Sequence, residues 1–343
     1  MKNWSALPAS LILLMVGCTG APETWSVRAT PEIESPSTDW AGVAGVGGVG
    51  LGMYLDDTRD EALAAEEILM GRHLDMLLTY RSIATDPEEI MLPNLLSRLE
   101  QRHTTLCLAL EPDWTMRAIA NGYYDDALRR WGAAIAKAKV TVWLRFASEM
   151  NESSNNWNPA ADPVGNSPEE FKRAWIRAHQ LISEELGANG ASAIRWVFTP
   201  AAHPVSWIAG RYRLADFWPG RDYVDVIALD GYNQYGNGWR PFGGVPGLNG
   251  SVFEDAYIAA AALDPDLPMM IGETSCDRTA LFESGGDRAR WIFEAALQLN
   301  ANYPRIRALN WFNANQQGHG YALSLNDGSY DALAAFPNVN NAK

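Results

Sequence analysis

Eight short apolar runs recur along the chain, at Leu51–Leu55, Met76–Tyr80, Thr105–Leu110, Val140–Ala147, Ile194–Thr199, Val224–Leu229, Met269–Gly272 and Ile306–Trp311. They are rich in branched and aromatic residues and have the length of buried strands. Between them the apolar positions return every three to four residues with charges opposite, the period of an amphipathic helix. The clearest such stretches are Asp125–Lys139, Pro168–Leu186, Val252–Leu263 and Asp287–Leu299. The second opens with Ser167 as N-cap, Pro168 in the first helical position and Glu170 three residues after the cap, the pattern of a capping box. Eight strands alternating with helices predict an α/β fold, a single (β/α)8 TIM barrel with a parallel closed sheet.

The polar residues at the strand ends favour the barrel over an open doubly wound sheet. Asp56, Arg81, Glu111, Glu149, Thr199, Asp230 with Tyr232, Glu273 and Asn313 all fall at or just beyond C-terminal ends. That rim is where barrels of this kind assemble active sites. The loops 152–167, 201–218 and 233–251 are long and rich in Asn, Gly, Pro and Trp, and are expected to wall a cleft.

Composition narrows the partners. The chain has 343 residues, 41 Asp and Glu against 27 Lys and Arg, and a net charge of −14. Nucleic-acid binding, which needs clustered Lys and Arg to neutralise phosphates, is not expected. Fourteen Trp and twelve Tyr suit sugar-stacking platforms, although most such rings belong in a core. The five His show no metal-ligand spacing, and neither a metal nor another cofactor is expected. Of the three cysteines, Cys107 lies in a strand run and Cys276 follows the second glutamate; no disulfide framework is implied.

At the N-terminus, residues 1–18 combine one Lys, a short apolar run and a Gly-Cys ending, too short a run to span a bilayer and consistent with a secretory leader. The ending Met15-Val16-Gly17-Cys18 resembles a bacterial lipoprotein signal, which implies lipidation at Cys18 and a location on the cell envelope, facing outside or the periplasm; an ordinary leader cut nearby is the alternative. Residues 19–40 read as a flexible tether and 41–343 as the catalytic domain. The glycines of Gly45–Gly52 precede a strand instead of following one, and no Gly-Lys-Ser/Thr ends them, so they are not a phosphate loop.

The chemistry is expected at Glu149 and Glu273. Each ends an apolar strand, where a carboxylate is costly unless it is used or paired. They stand 124 residues apart, about three βα units, which carries them to opposite sides of a barrel mouth. Alternation along strands suggests that Trp143, Arg145, Ala147 and Glu149 share one face, and that Ile271 and Glu273 share another. Arg145 should then point inward and need a partner, for which Asp230 is the candidate.

The motifs WLRFASEMN, YVDVIALDGYN, PMMIGETS and ALNWFN, in this order, resemble glycoside hydrolase family 26, the family of many β-mannanases. The resemblance covers nearly all of the chain after Gly45. It implies a (β/α)8 barrel, Glu149 as acid/base, Glu273 as nucleophile, Tyr232 as the tyrosine bonded to that nucleophile, and Trp311 as the aromatic floor beneath the reacting sugar. Family mannanases usually carry His directly before the acid/base. This chain has Ser148, a departure that suits another β-glycan or a divergent exopolysaccharide.

Further substrate-contact candidates are Asn151, Trp157, Trp239, Glu111 and His203, with Trp207 on the same set of loops. The expected activity is a retaining endo-β-glycanase acting on a polysaccharide or oligosaccharide. The rival from another class is a surface lipoprotein that binds glycans without cleaving them. A glycosidase of the same clan acting on a different β-glycan is the third reading.

Overall fold

Every run expected to be a strand is one. The computed structural model describes residues 49–90, 92–152, 155–187, 193–204, 206–234, 239–244, 250–278 and 288–336. Its strands are β1 (Gly50–Tyr54), β2 (Met76–Ser82), β3 (Thr105–Glu111), β4 (Val142–Phe146), β5 (Ile194–Phe198), β6 (Val226–Asn233), β7 (Met269–Cys276) and β8 (Ile306–Phe312). All neighbours pair in parallel and β1 closes on β8, giving a closed barrel in the order β1 to β8. The leader, Cys18 and the tether lie outside the described residues.

The helices expected from periodicity are also present, at Asp125–Ile135, Pro168–Leu186, Glu254–Ala261 and Arg288–Asn302. Pro168–Leu186 starts as anticipated, with Ser167 Oγ accepting from the Glu170 N–H at 3.3 Å. Only half of the capping box forms, because the Glu170 carboxylate turns to Arg117 and Arg173 instead. Among the described residues no helix is long and apolar enough to cross a membrane.

Alternation along the strands sorts the apolar side chains into two layers. Met76, Leu78, Cys107, Ala109, Trp143, Val197, Val226, Ala228, Met270 and Ala308 fill the barrel interior. A larger layer lies between strands and helices and contains Leu106, Leu144, Phe146, Trp175, Trp196, Phe198, Ile271, Leu309 and Trp311. Burial of this apolar surface is the main stabilising term. Rings of the outer layer pack edge to face behind β4 and β5, as Phe146 on Trp175 at 5.8 Å and Trp175 on Phe198 at 5.8 Å. Much of the Trp content is therefore core: Trp131, Trp175, Trp196, Trp291 and Trp311 are all fully buried. Cys107 and Cys276 are both free and buried, and burial pushes each thiol up to about 12.

Candidate active site

Two strand ends aim the two glutamates by different devices. β4 stops at Phe146, one residue earlier than the apolar run suggests. Ala147 and Glu149 then take left-handed backbone conformations, with φ of 48° and 54°. Such conformations are costly for residues with a Cβ and persist where surrounding contacts impose them. Here the Glu149 N–H donates to Thr199 O at 2.6 Å and the Ala147 N–H to Leu110 O at 3.1 Å, pinning the turn to the two flanking strands. Trp157 Nε1 donates to Ser148 O at 2.8 Å, and Asn155 Nδ2 to Glu149 O at 3.2 Å. The expected grouping of Ala147 with Glu149 is corrected by this turn: Ala147 packs in the outer layer, and Glu149 opens inward.

On β7 the strand continues but slips. Leu229 pairs with Ile271 and Asp230 with Glu273, leaving Gly272 as an extra residue. A bulge of this kind re-aims the next side chain. Ile271 therefore faces the helices, contrary to the expectation that it shares a face with Glu273, while Glu273 points into the barrel. Gly272 suits the position because a Cβ there would overlap Asp230 Oδ1 and come within 3.1 Å of Thr199 Cγ2.

Beneath the rim, Arg145 is fully buried and binds both acids of the facing strands. Its Nη2 pairs with Asp230, and its Nη1 lies 2.7 Å from Glu273 Oε1. Burial works against its charge, but the carboxylates of Asp230 and Glu273 outweigh that and hold the guanidinium well above its ordinary range. Tyr232 Oη donates to Glu273 Oε2 at 2.5 Å. Burial, and next the Glu273 charge, keep the Tyr232 and Tyr80 hydroxyls protonated far above their usual range. Glu273 is thus held by one cation and one phenol, one at each of its oxygens.

Glu149 sits in the opposite environment. Burial, and then the charge of Glu273, push it up to about 8, against the pull of Arg145. At neutral pH it carries a proton. One carboxyl raised in this way beside a second that is bonded by a cation is the pattern of an acid and a nucleophile or base.

Both open into a cavity of about 910 Å³, which also receives Tyr54, Tyr80, Glu111, Ser148, Trp157, His203, Tyr232 and Phe312. Of the residues anticipated from sequence, Glu149, Glu273, Tyr232, Ser148, Trp157, Glu111 and His203 meet there. Glu111 is raised by burial and by Glu273. Among the described residues the buried Ser148 hydroxyl has no hydrogen-bond partner. Trp157 lines the cavity while mostly buried, its indole N–H already committed to Ser148.

Three anticipated contacts are corrected. Trp311 is 1% exposed and packs on Trp291 with ring centroids 6.4 Å apart, on the helix side of β8. The alternation of β8 sends Ala308, Asn310 and Phe312 inward, so the ring at the cavity is Phe312, stacked on Tyr54 at 4.7 Å. Asn151 lies one layer behind, its amide exchanging two 2.8 Å bonds with the backbone of Ala201; it positions the lip. Trp239 packs on the outer core layer. The side chain of Trp207 lies outside the described residues.

The walls do come from the long loops after β4, β5 and β6, through Glu152, Asn155, His203, Gln234 and Arg240. Sequence reasoning missed Tyr54, at the end of β1, and Tyr80, two residues before the end of β2, which could have been found by extending alternation to these strands. It also missed Gln316, Gln317 and His319 after β8, which carry no pattern of their own. Among the described residues no group of three or more His, Cys, Asp or Glu is arranged to hold a metal ion.

No protein-family model matches the chain. Endoglucanase H of Acetivibrio thermocellus is 28% identical over 284 residues, which cover 81% of this chain and 28% of that protein. The chain thus spans under a third of that relative's length. A Bacillus subtilis mannanase superposes with a TM-score of 0.55 at 15% identity, covering 85% of each chain. The family 26 domain of an endo-β-mannanase/endo-β-glucanase from Prevotella bryantii superposes with a TM-score of 0.58 at 13% identity, over 87% of this chain and 91% of that one. The chain has the (β/α)8 fold of the glycoside hydrolase family 26 mannanases, the family its motifs resemble.

Proposed function

We propose that the chain is a retaining β-glycoside hydrolase, endo-acting on a β-mannan or related β-glycan. The observation that carries the reading is the unequal pair: Glu149 raised to about 8 by burial and its neighbour's charge, and Glu273 bonded by Arg145 and Tyr232, in one cavity. Hydrolysis with retention needs one carboxyl of each kind. In this mechanism Glu149 protonates the glycosidic oxygen while Glu273 attacks the anomeric carbon. The leaving sugar departs with the proton. Glu149, now ionised, takes a proton from water, and that water displaces Glu273 from the glycosyl-enzyme.

Tyr54, Tyr80, Tyr232 and Phe312 supply ring faces and edges for sugar packing on the barrel axis. The endoglucanase and mannanase names of the similar proteins support a β-glycan as substrate. Ser148 leaves less side chain beside the acid than a His would, which favours a glycan other than plain mannan.

The test is reducing-end release from glucomannan, galactomannan, mixed-linkage glucan and β-1,3- and β-1,4-xylan, with Glu273→Ala beside the wild type. Release that falls roughly 10⁴-fold or more in the variant is expected, with the first-formed product keeping the anomeric configuration of the substrate by NMR. An inverted product would overturn the nucleophile role, and wild-type activity in Glu273→Ala would overturn the whole assignment. For residues 1–18 we propose a lipoprotein leader that leaves acylated Cys18 as the mature N-terminus on the cell envelope. Mass spectrometry of the N-terminal peptide tests this; an unmodified N-terminus elsewhere would refute it.

A further inference from the structure

The cavity carries charges of both signs on different walls. The acidic side is lined by Glu273 from β7, Glu152 after β4 and Glu111 at the end of β3, beside Glu149, which keeps its proton at neutral pH. Arg240 and His203 come from the loops after β6 and β5. Arg240 contrasts with several of the buried and half-buried arginines. Arg72 pairs with Asp75, Arg102 with Glu67, Arg145 with two acids, and Arg305 with main-chain carbonyls. The main chain of Arg240 is pinned at both polar atoms: its N–H donates to Asn233 Oδ1 at 3.0 Å, and its carbonyl accepts from Trp291 Nε1 at 2.8 Å. Both partners are fully buried. Among the described residues the guanidinium itself has neither a hydrogen bond nor an ion pair, and it faces the cavity. A cation with its donors free is thus held on a rigid support. His203 beside it is driven toward the neutral form by burial and by the charge of Arg240, against Asp255, leaving a ring that can hydrogen-bond without adding a second charge.

We propose that this wall reads a carboxylate: the glycan held in the cavity carries an acidic sugar or a carboxylate-bearing substituent, which Arg240 takes with its planar fork and His203 flanks. The inference rests on the glycoside hydrolase reading and names its substrate class. A guanidinium matches a carboxylate through two parallel N–H···O bonds, and such charge-assisted pairs are stronger than neutral ones. The acidic groups of Glu273 and Glu152 disfavour an acidic unit placed beside them, so the two signs together set the direction in which the glycan lies. In a protein of net charge −14 long-range attraction does not help an acidic chain. Recognition is local, and it shows as discrimination between substrates instead of general affinity for polyanions.

The test compares glucuronoxylan and xanthan, each with its carboxyl-reduced form, for binding to Glu273→Gln by calorimetry and for product release by the wild type. Xanthan stripped of pyruvyl groups separates a uronate from a pyruvate as the source of the carboxylate. The expected result is binding about tenfold or more tighter to at least one carboxylated glycan than to its reduced form. Arg240→Gln should erase that difference and Arg240→Lys should keep part of it, both with wild-type melting temperatures. Reduced forms bound and cleaved as well as the native ones, or a preference that survives Arg240→Gln, would overturn the inference and leave the hydrolase reading standing. Carboxylate-dependent binding lost in Arg240→Gln, with no cleavage of any glycan, would uphold the recognition and remove the hydrolase reading. No binding to any of these glycans would overturn the inference.

Discussion

β4 and β7 end in the same residue type and treat it in opposite ways. At β4 the strand breaks off, two residues adopt left-handed backbone, and the glutamate enters a setting where burial and a neighbouring charge keep it protonated. At β7 the strand runs on through Cys276 and a single bulge at Gly272 turns the glutamate onto Arg145 and Tyr232. The difference teaches that carboxyl chemistry here belongs to the partners. Arg145 is the element shared by both: it ties down Glu273 at close range and only partly offsets the burial of Glu149.

The contrast is most strongly broken at Arg145. Arg145→Met leaves Asp230 and Glu273 buried without their cation, which should cost about 3–5 kcal/mol in denaturant unfolding. Unchanged stability would mean that the buried pair is dispensable. Glu149→Ala should lower kcat/KM by roughly 10²–10⁴-fold on glycosides with poor leaving groups, and far less on aryl glycosides whose leaving group needs no proton. Equal losses on both would rule out the acid role.

Gly272→Ala addresses the bulge itself. Its Cβ would meet Asp230 Oδ1, so a loss of about 1–3 kcal/mol in stability and a fall in kcat are expected. A fully active, fully stable variant would show that the bulge does not aim Glu273. The smallest effect is the pH dependence of Glu149→Gln. A carboxyl raised from its ordinary 4.5 to about 8 in the folded chain takes up a proton on folding, so its contribution to stability falls as pH rises between those values. Replacing it with Gln should therefore raise the melting temperature at pH 9 more than at pH 4. A pH-independent difference would place Glu149 in an ordinary solvated setting. The same protonation predicts that wild-type activity declines as pH rises through about 8.

Where expectation and structure part company, the cause is local geometry that sequence periodicity does not carry. Ile271 and Glu273 are two residues apart and would share a face in a regular strand; the Gly272 bulge separates them. Trp311 is the conspicuous ring of its motif, yet β8 turns it to the helices and offers Phe312 to the cavity. Asn151 and Trp157 have polar groups that suit sugar contact. Instead Asn151 clamps Ala201, and Trp157 bonds Ser148, because a lip in strained backbone needs holding. The partnership of Arg145 with Asp230 was legible from alternation, but its second bond to Glu273 was not, since that depends on the bulge.

By itself the sequence determined the barrel, its eight strands in order and the two glutamates at strand ends, because apolar period and strand-end polarity are properties of short stretches. Only the tertiary structure decided which side chains enter the cavity, which glutamate holds a proton, and which arginine lines the site. Those outcomes depend on register slips, left-handed turns and charges brought together from distant strands. A burial pattern averages over all three.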